Sequence, residues 1–346
     1  MQGRTLPGLA MLGLFVAFVC NIAQAQYQLT TLDSNQIGKG TQPADPQSVN
    51  AWGLARAPSS PWWVNNEGSG WATLYNGAGV KQGLEVEIPA APKAGAIGTP
   101  TGMVWNTSQT NEFQVQGWST FFLFDSLDGT ITAWAPGLSF FHAQIAVDNS
   151  ANKASYTGLA ITNRKSENFL FTADIANNRV DIYDGTFTWK GSFAADSAVP
   201  AGFTVFGIRD INGMVFVSFA DPAGGPGGYI DIYSESGALV KSGFIKGAPL
   251  NQPWGFAMAP ANFGPLSNTL LVSNNTNEGT INAFNRETGV FVGTVKDMSG
   301  KPIHIDQLWA IDFGGDTPAN GPGNTLFFTA GPSNNLAGQF GTIVFK

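Results

Sequence analysis

Ala51-Trp52-Gly53-Leu54-Ala55 decides the fold, because the chain repeats it. The further copies are Pro100-Thr101-Gly102-Met103-Val104, Tyr156-Thr157-Gly158-Leu159-Ala160, Val205-Phe206-Gly207-Ile208 and Pro253-Trp254-Gly255-Phe256-Ala257. Leu308-Trp309-Ala310-Ile311 carries alanine in place of the glycine. From Gly53 to Ala310 the intervals are 49, 56, 49, 48 and 55 residues, a spacing that belongs to propeller blades rather than to a solenoid. A small residue at the centre of each copy lets backbones crowd together at a common axis.

Each copy is followed by a bulky apolar run that ends in polar residues, such as Trp62-Trp63-Val64-Asn65-Asn66, Phe169-Leu170-Phe171-Thr172-Ala173-Asp174 and Leu270-Leu271-Val272-Ser273-Asn274. Near-continuous hydrophobicity over five residues predicts a strand buried on both faces. A third segment alternates in character, as in Arg179-Val180-Asp181-Ile182-Tyr183 and Tyr229-Ile230-Asp231-Ile232-Tyr233, which predicts a half-exposed strand joined to the second by a glycine turn. A fourth, more polar segment (83–88, 143–147, 191–194, 240–245, 291–295) has the composition of an outer edge strand. The reading is an all-β, six-bladed β-propeller of four-stranded antiparallel blades. The sixth repeat runs to Lys346 with only three strands, so 27–32 is expected to supply its fourth and close the ring.

The first 25 residues read as a cleaved secretory leader: Arg4, then an apolar run from Leu9 to Val19, then Ala23-Gln24-Ala25. Residues 26–346 would form a single domain, exported to the periplasm or the exterior and not inserted in the membrane. Cys20, the only cysteine, falls inside the leader, so no disulfide framework supports the fold. With charged residues at 12% and a formal charge of −7, and no Lys/Arg cluster, nucleic acid is not an expected partner.

Two histidines and no mature cysteine exclude a His/Cys zinc cluster. His142 reads as a surface residue at the start of an outer strand. His304 precedes the sixth inner strand and, with Asp306, is a candidate for proton transfer. Gly224-Gly225-Pro226-Gly227-Gly228 lacks the Lys-Ser/Thr of a phosphate loop and reads as a turn in the fourth blade. Strand two and the turn into the inner strand open on one face, and around that mouth the scheme places Asn50, Asn65, Asp125, Asp174, Gln252 and Asn274 as candidate ligand-binding residues. Asp125, Asn274 and Asp306 could together hold Ca²⁺, a cation that takes six to eight oxygens, as the central metal of gluconolactonase-type lactonases is held. The competing reading is that Asn and Asp here end strands and start turns. Trp52, Trp254 and Trp309 recur in register, as core residues do. Trp71, Trp118 and Trp189 lie in irregular surroundings and are equally readable as sugar-stacking or as structural residues.

The chain also resembles a family of uncharacterised secreted bacterial proteins, many bearing a PEP-CTERM sorting tail. The resemblance runs over the whole mature chain and is carried by Asn50-Ala51-Trp52-Gly53-Leu54, Thr73-Leu74-Tyr75-Asn76-Gly77, Asp128-Gly129-Thr130-Ile131, Pro253-Trp254-Gly255-Phe256-Ala257 and Phe328-Thr329-Ala330-Gly331-Pro332. More distantly, the repeat is similar to NHL propellers. The resemblance implies export and propeller architecture. The family's acidic and histidine residues after Ala-Gly-Pro are replaced here by Ser333-Asn334-Asn335-Leu336-Ala337. The expected function is a monomeric secreted recognition or scaffold module for an extracellular glycan or protein. The rival is a calcium-dependent lactonase-type hydrolase.

Overall fold

A computed structural model describes residue 3 and residues 26–92, 96–108 and 111–346. The expected leader, Gly3 apart, and Cys20 fall outside the described residues. Six four-stranded antiparallel sheets follow one another along the chain. Their inner strands are Ala51–Ala55, Pro100–Trp105, Tyr156–Ile161, Thr204–Ile211, Pro253–Met258 and Leu308–Phe313, here the first strands of blades 1 to 6. Each touches the inner strands on either side, and the sixth touches the first, so the ring is closed. The fourth strand of blade 6 is Tyr27–Ser34, which pairs antiparallel with Gln339–Phe345 from Tyr27 opposite Phe345 to Ser34 opposite Gln339.

The sequence motif has a structural counterpart in every blade. Two residues of the inner strand oppose one of the second strand at the same point in each, for example Trp52 and Gly53 against Asn65, between the pairs Ala51–Asn66 and Leu54–Val64, and likewise between Pro253–Asn274 and Phe256–Val272. Such a bulge bends the strand and re-aims its side chains. The glycine sits inside it, where a Cβ on Gly53 would strike the Thr101 carbonyl, one on Gly102 the Leu159 amide, and one on Gly207 the Trp254 carbonyl. The small residue is therefore a requirement of how closely adjacent inner strands approach.

The bulge also explains polar residues in otherwise apolar second strands. In blade 4, the Gly207 amide donates to Ser218 Oγ, which donates to the Pro253 carbonyl of blade 5. Ser273 links Gly255 to the Trp309 carbonyl, and Thr329 links Ala310 to the Trp52 carbonyl, in the same way. Asn65 donates to the Thr101 and Gly102 carbonyls. Blades 2 and 3 route the bond through the inner strand instead, from the Thr101 hydroxyl to the Tyr156 carbonyl and from the Thr157 hydroxyl to the Phe206 carbonyl. Each relay satisfies backbone groups that the bulge removes from the ladder, groups that are costly to bury unpaired.

Large aromatics fill the seams between blades: Trp63 stacks on Phe122 at 4.2 Å, and Trp62 packs on Phe327 at 4.9 Å. Two features depart from the sequence reading. Trp71 opens a regular third strand, Trp71–Tyr75. The connection between the first two strands of blade 2 carries a small hairpin, Gln114–Val115 with Trp118–Ser119, whose two-residue strands are too short to show any periodicity. Among the described residues no helix is long and apolar enough to cross a membrane.

Candidate functional site

The residue just before the small residue of the motif is aromatic in four of the blades, and these four side chains pack on one another. In blades 4, 5, 6 and 1 it is Phe206, Trp254, Trp309 and Trp52, all buried. Trp52 stacks on Trp309 at 3.6 Å, and Trp254 meets Trp309 edge-on at 5.8 Å. Trp254 Nε1 donates across the ring to the Thr157 carbonyl, 2.8 Å away, and Trp309 Nε1 donates to Asn50 Oδ1 at 2.9 Å. These side chains plug the axis at the end where the inner strands begin, which is the end where the sequence places a mouth.

At that end the candidate residues are used by the fold. Asn50 has a left-handed φ of 48°, and its amide nitrogen donates to Glu67. Asn65 serves the relay described above. Asp125 is wholly buried and accepts from the Thr101 and Thr172 hydroxyls, both at 2.8 Å. Burial pushes its carboxyl up to about 6, and those hydroxyls act in the opposite direction. Asp174 caps a turn by accepting from the Ser155 and Asn177 amides. Gln252, also left-handed, donates to the Asp221 and Gly225 carbonyls and so fastens the glycine-rich turn of blade 4. Asn274 donates to the Pro249 carbonyl and accepts from the Asn251 amide. Asp306 accepts from Ser333, the first of three consecutive left-handed residues, Ser333, Asn334 and Asn335. Asp125, Asn274 and Asp306 thus stand in blades 2, 5 and 6 with separate partners. The described residues contain no cluster of three or more His, Cys, Asp or Glu side chains suited to a metal. His304 is exposed beside Glu278, and His142 is exposed beside Glu87. Trp118 and Trp189 are exposed, the latter on the outer strand of blade 3.

The opposite end of the axis is open. A cavity of roughly 560 Å³ lies there, floored by Leu54, Leu159, Ile208, Phe256 and Ile311 beneath the plug. Its polar wall comes from where inner strands end or have just ended: Arg56, Arg164, Arg209, Asp210 and Asp312, joined by Glu235. Arg209 of blade 4 donates to the Phe256 carbonyl of blade 5 at 2.9 Å, to the Ile311 carbonyl of blade 6 at 3.2 Å and to Asp312 at 2.7 Å. One guanidinium therefore spans three blades, a task suited to its rigid fork of donors. Arg56 of blade 1 donates to the Phe313 and Gly314 carbonyls of blade 6, both at 3.0 Å, and lies over the Trp62 ring. Burial lowers the Arg56 pKa, against the pull of Asp312. Arg164 pairs with Glu235 at 2.6 Å. Asp210 accepts a long bond from the Gly213 amide, and its other oxygen is buried without a partner. Burial pushes the Asp210 carboxyl up to about 6, with Glu235 acting in the same direction and Gly213, Arg164 and Arg209 against it.

These wall residues escape a repeat-based reading because they come from only four blades, 1, 3, 4 and 6, and differ from one to the next. Arg56, Arg209-Asp210 and Asp312 do follow directly on the repeated motif, and that break from apolar to charged at one strand end is the available sign.

No family model matches the chain. It is similar to two uncharacterized proteins of Acanthamoeba polyphaga mimivirus. It is 29% identical to R640 over 280 residues, covering 74% of this chain and 50% of that protein. It is 27% identical to R648 over 341 residues, covering 93% and 81%. The chain spans about half the length of R640. Among solved structures it is similar to the PQQ-bound aldose sugar dehydrogenase of Streptomyces coelicolor, with TM-score 0.56, 12% identity and coverage of 94% and 99%. It is also similar to virginiamycin B lyase of Staphylococcus aureus, with TM-score 0.53, 13% identity and coverage of 92% and 99%. At these identities the likeness reaches as far as the fold, and the chain is a six-bladed β-propeller.

Proposed function

We propose that this protein is a small-molecule-binding propeller whose site is the open end of the axis, acting as an exported recognition module. The observation that carries the reading is the convergence of three guanidinium groups, from blades 1, 3 and 4, on one cavity at that end. That volume lies in the range of ligand pockets, and its charged wall above an apolar floor offers a polar ligand both hydrogen-bonding groups and apolar contact. Export rests on the leader pattern and on the family resemblance.

The test is a thermal-shift screen of a metabolite library against the chain and against Asn163→Trp, which places a bulky ring at an exposed position on the cavity rim. Ligands that stabilise the chain by mass action and lose that effect in Asn163→Trp support the reading. If no compound stabilises the chain, or if every hit survives the substitution, the reading fails.

A further inference from the structure

The cavity wall has charge left over. Arg209 is paired with Asp312, and Arg164 with Glu235. What remains is Arg56, held by two main-chain carbonyls with no carboxylate of the described residues within ion-pair distance, and Asp210, with one buried oxygen that accepts nothing. Arg56 directly follows the inner strand of blade 1 and Asp210 sits near the end of that of blade 4. In a six-membered ring those blades are diametrically opposed. A guanidinium with no carboxylate partner and a carboxylate with a single long hydrogen bond therefore line opposite sides of one cavity, and they make no bond with each other.

Resting on the reading of this cavity as a ligand site, we infer that its ligand is a small carboxylate that carries a hydrogen-bond donor at its far end, with the carboxylate against Arg56 and the donor against Asp210. A guanidinium matches a carboxylate in both charge and geometry, and the Asp210 carboxylate, held only by the long bond from Gly213, takes a hydroxyl or ammonium proton. Such a ligand satisfies both groups at once. A neutral polyol leaves Arg56 unmatched, and a plain fatty acid leaves Asp210 unmatched.

Titration calorimetry with four probes tests this: gluconate and glutamate, which carry the carboxylate with a hydroxyl or an ammonium donor, and sorbitol and hexanoate, which each lack one half. The expected result is that gluconate or glutamate binds at least tenfold more tightly than both sorbitol and hexanoate, and the better of the two identifies the donor. Arg56→Gln and Asp210→Ala should each weaken that binding at least tenfold in protein whose melting curve stays cooperative. If Arg56→Gln does not fold, the four-probe ranking on the unaltered chain decides. Sorbitol or hexanoate binding as tightly as the acids, or full affinity in folded Arg56→Gln, overturns the inference and leaves the cavity reading standing. Failure of all four probes while library hits still depend on Asn163 overturns it in the same way. If no compound of any kind binds, both fall together.

Discussion

The indole rings of Trp52 and Trp309 lie stacked 3.6 Å apart and 14° from parallel, across the seam where the last blade meets the first. Trp309 also anchors Asn50 through its ring nitrogen. Trp309→Ala removes both contacts and leaves a cavity on the axis, and is expected to cost about 3–5 kcal/mol. Trp309→Phe should cost less, because it keeps part of the stack. Urea denaturation with an unchanged slope measures both, and a loss below about 1 kcal/mol for the alanine variant would show that the plug contributes little to stability.

The inner-strand glycines should divide sharply on alanine substitution. A Cβ on Gly207 runs into the backbone of Trp254, whereas one on Gly158 first meets Ile208 at 3.3 Å, and one on Gly83 in the outer strand of blade 1 meets nothing. Gly207→Ala is therefore expected to lose about 2 kcal/mol or more, in the range of overpacked cores. Gly158→Ala should lose visibly less, and Gly83→Ala should stay within about 0.5 kcal/mol of the parent. Chemical denaturation of the three side by side gives the ranking.

Asp33 gives the chain a predictable response to pH. It is buried at the end of the closing strand, and burial followed by the charge of Asp45 pushes its carboxyl up to about 7, from a usual value of 3.8. The folded chain thus holds this proton more tightly than the unfolded chain does. The resulting stability is fully present below about pH 4 and is lost as pH rises through 7. For a shift of that size the loss is up to about 4 kcal/mol. Asp33→Asn carries no such charge, so it should melt higher than the parent at pH 8 and close to it at pH 4. Equal offsets at both pH values would refute the assignment.

Binding in the axial cavity, as proposed, should be pH-sensitive through Asp210, whose charge is coupled to Glu235, Arg164 and Arg209. Its carboxyl stands near 6, and only its ionised form is a pure acceptor. Affinity for a ligand that donates to it should fall as pH drops from 7 to 5, and Asp210→Asn should flatten that profile. Calorimetry at three pH values reads the difference.

The blades were legible because each supplies a small residue at the bulge and an apolar run after it, and all but blade 1, whose third strand is Trp71–Tyr75, supply an alternating strand as well. The closing strand at 27–34 was legible for a related reason, since a three-stranded final repeat requires a partner. The site was not. Polar side chains at the ends of second strands have the chemistry of ligands, yet Asn65, Ser218, Ser273 and Thr329 spend it on carbonyls of the next blade, partners 35 to 37 residues away for the first three and 277 for Thr329, which no local pattern announces. Which end of the axis is open depends on how four aromatics from four blades meet. Their recurrence in register shows that they are packed, but it does not show at which end they close the ring.

Closure should be felt through Tyr27, which is buried and donates its hydroxyl to the Phe263 carbonyl at 2.8 Å. Tyr27→Ala is expected to cost about 3–5 kcal/mol. Near-UV circular dichroism and tryptophan fluorescence should still report one coincident transition, as a ring closed by its own termini unfolds as a unit. Two separated transitions would mean that the blades are held independently of closure.

The closing strand also sets an order of events. Tyr27–Ser34 is synthesised before any blade exists, yet its partner Gln339–Phe345 follows every other strand of the ring. Until then blade 6 lacks its outermost strand, and the early segment has an unpaired edge of the kind that recruits foreign strands. Joining segments this far apart also carries a large loop-closure entropy cost. Completion of the ring is therefore necessarily a late step, and the interval before it is when this chain is most exposed to aggregation.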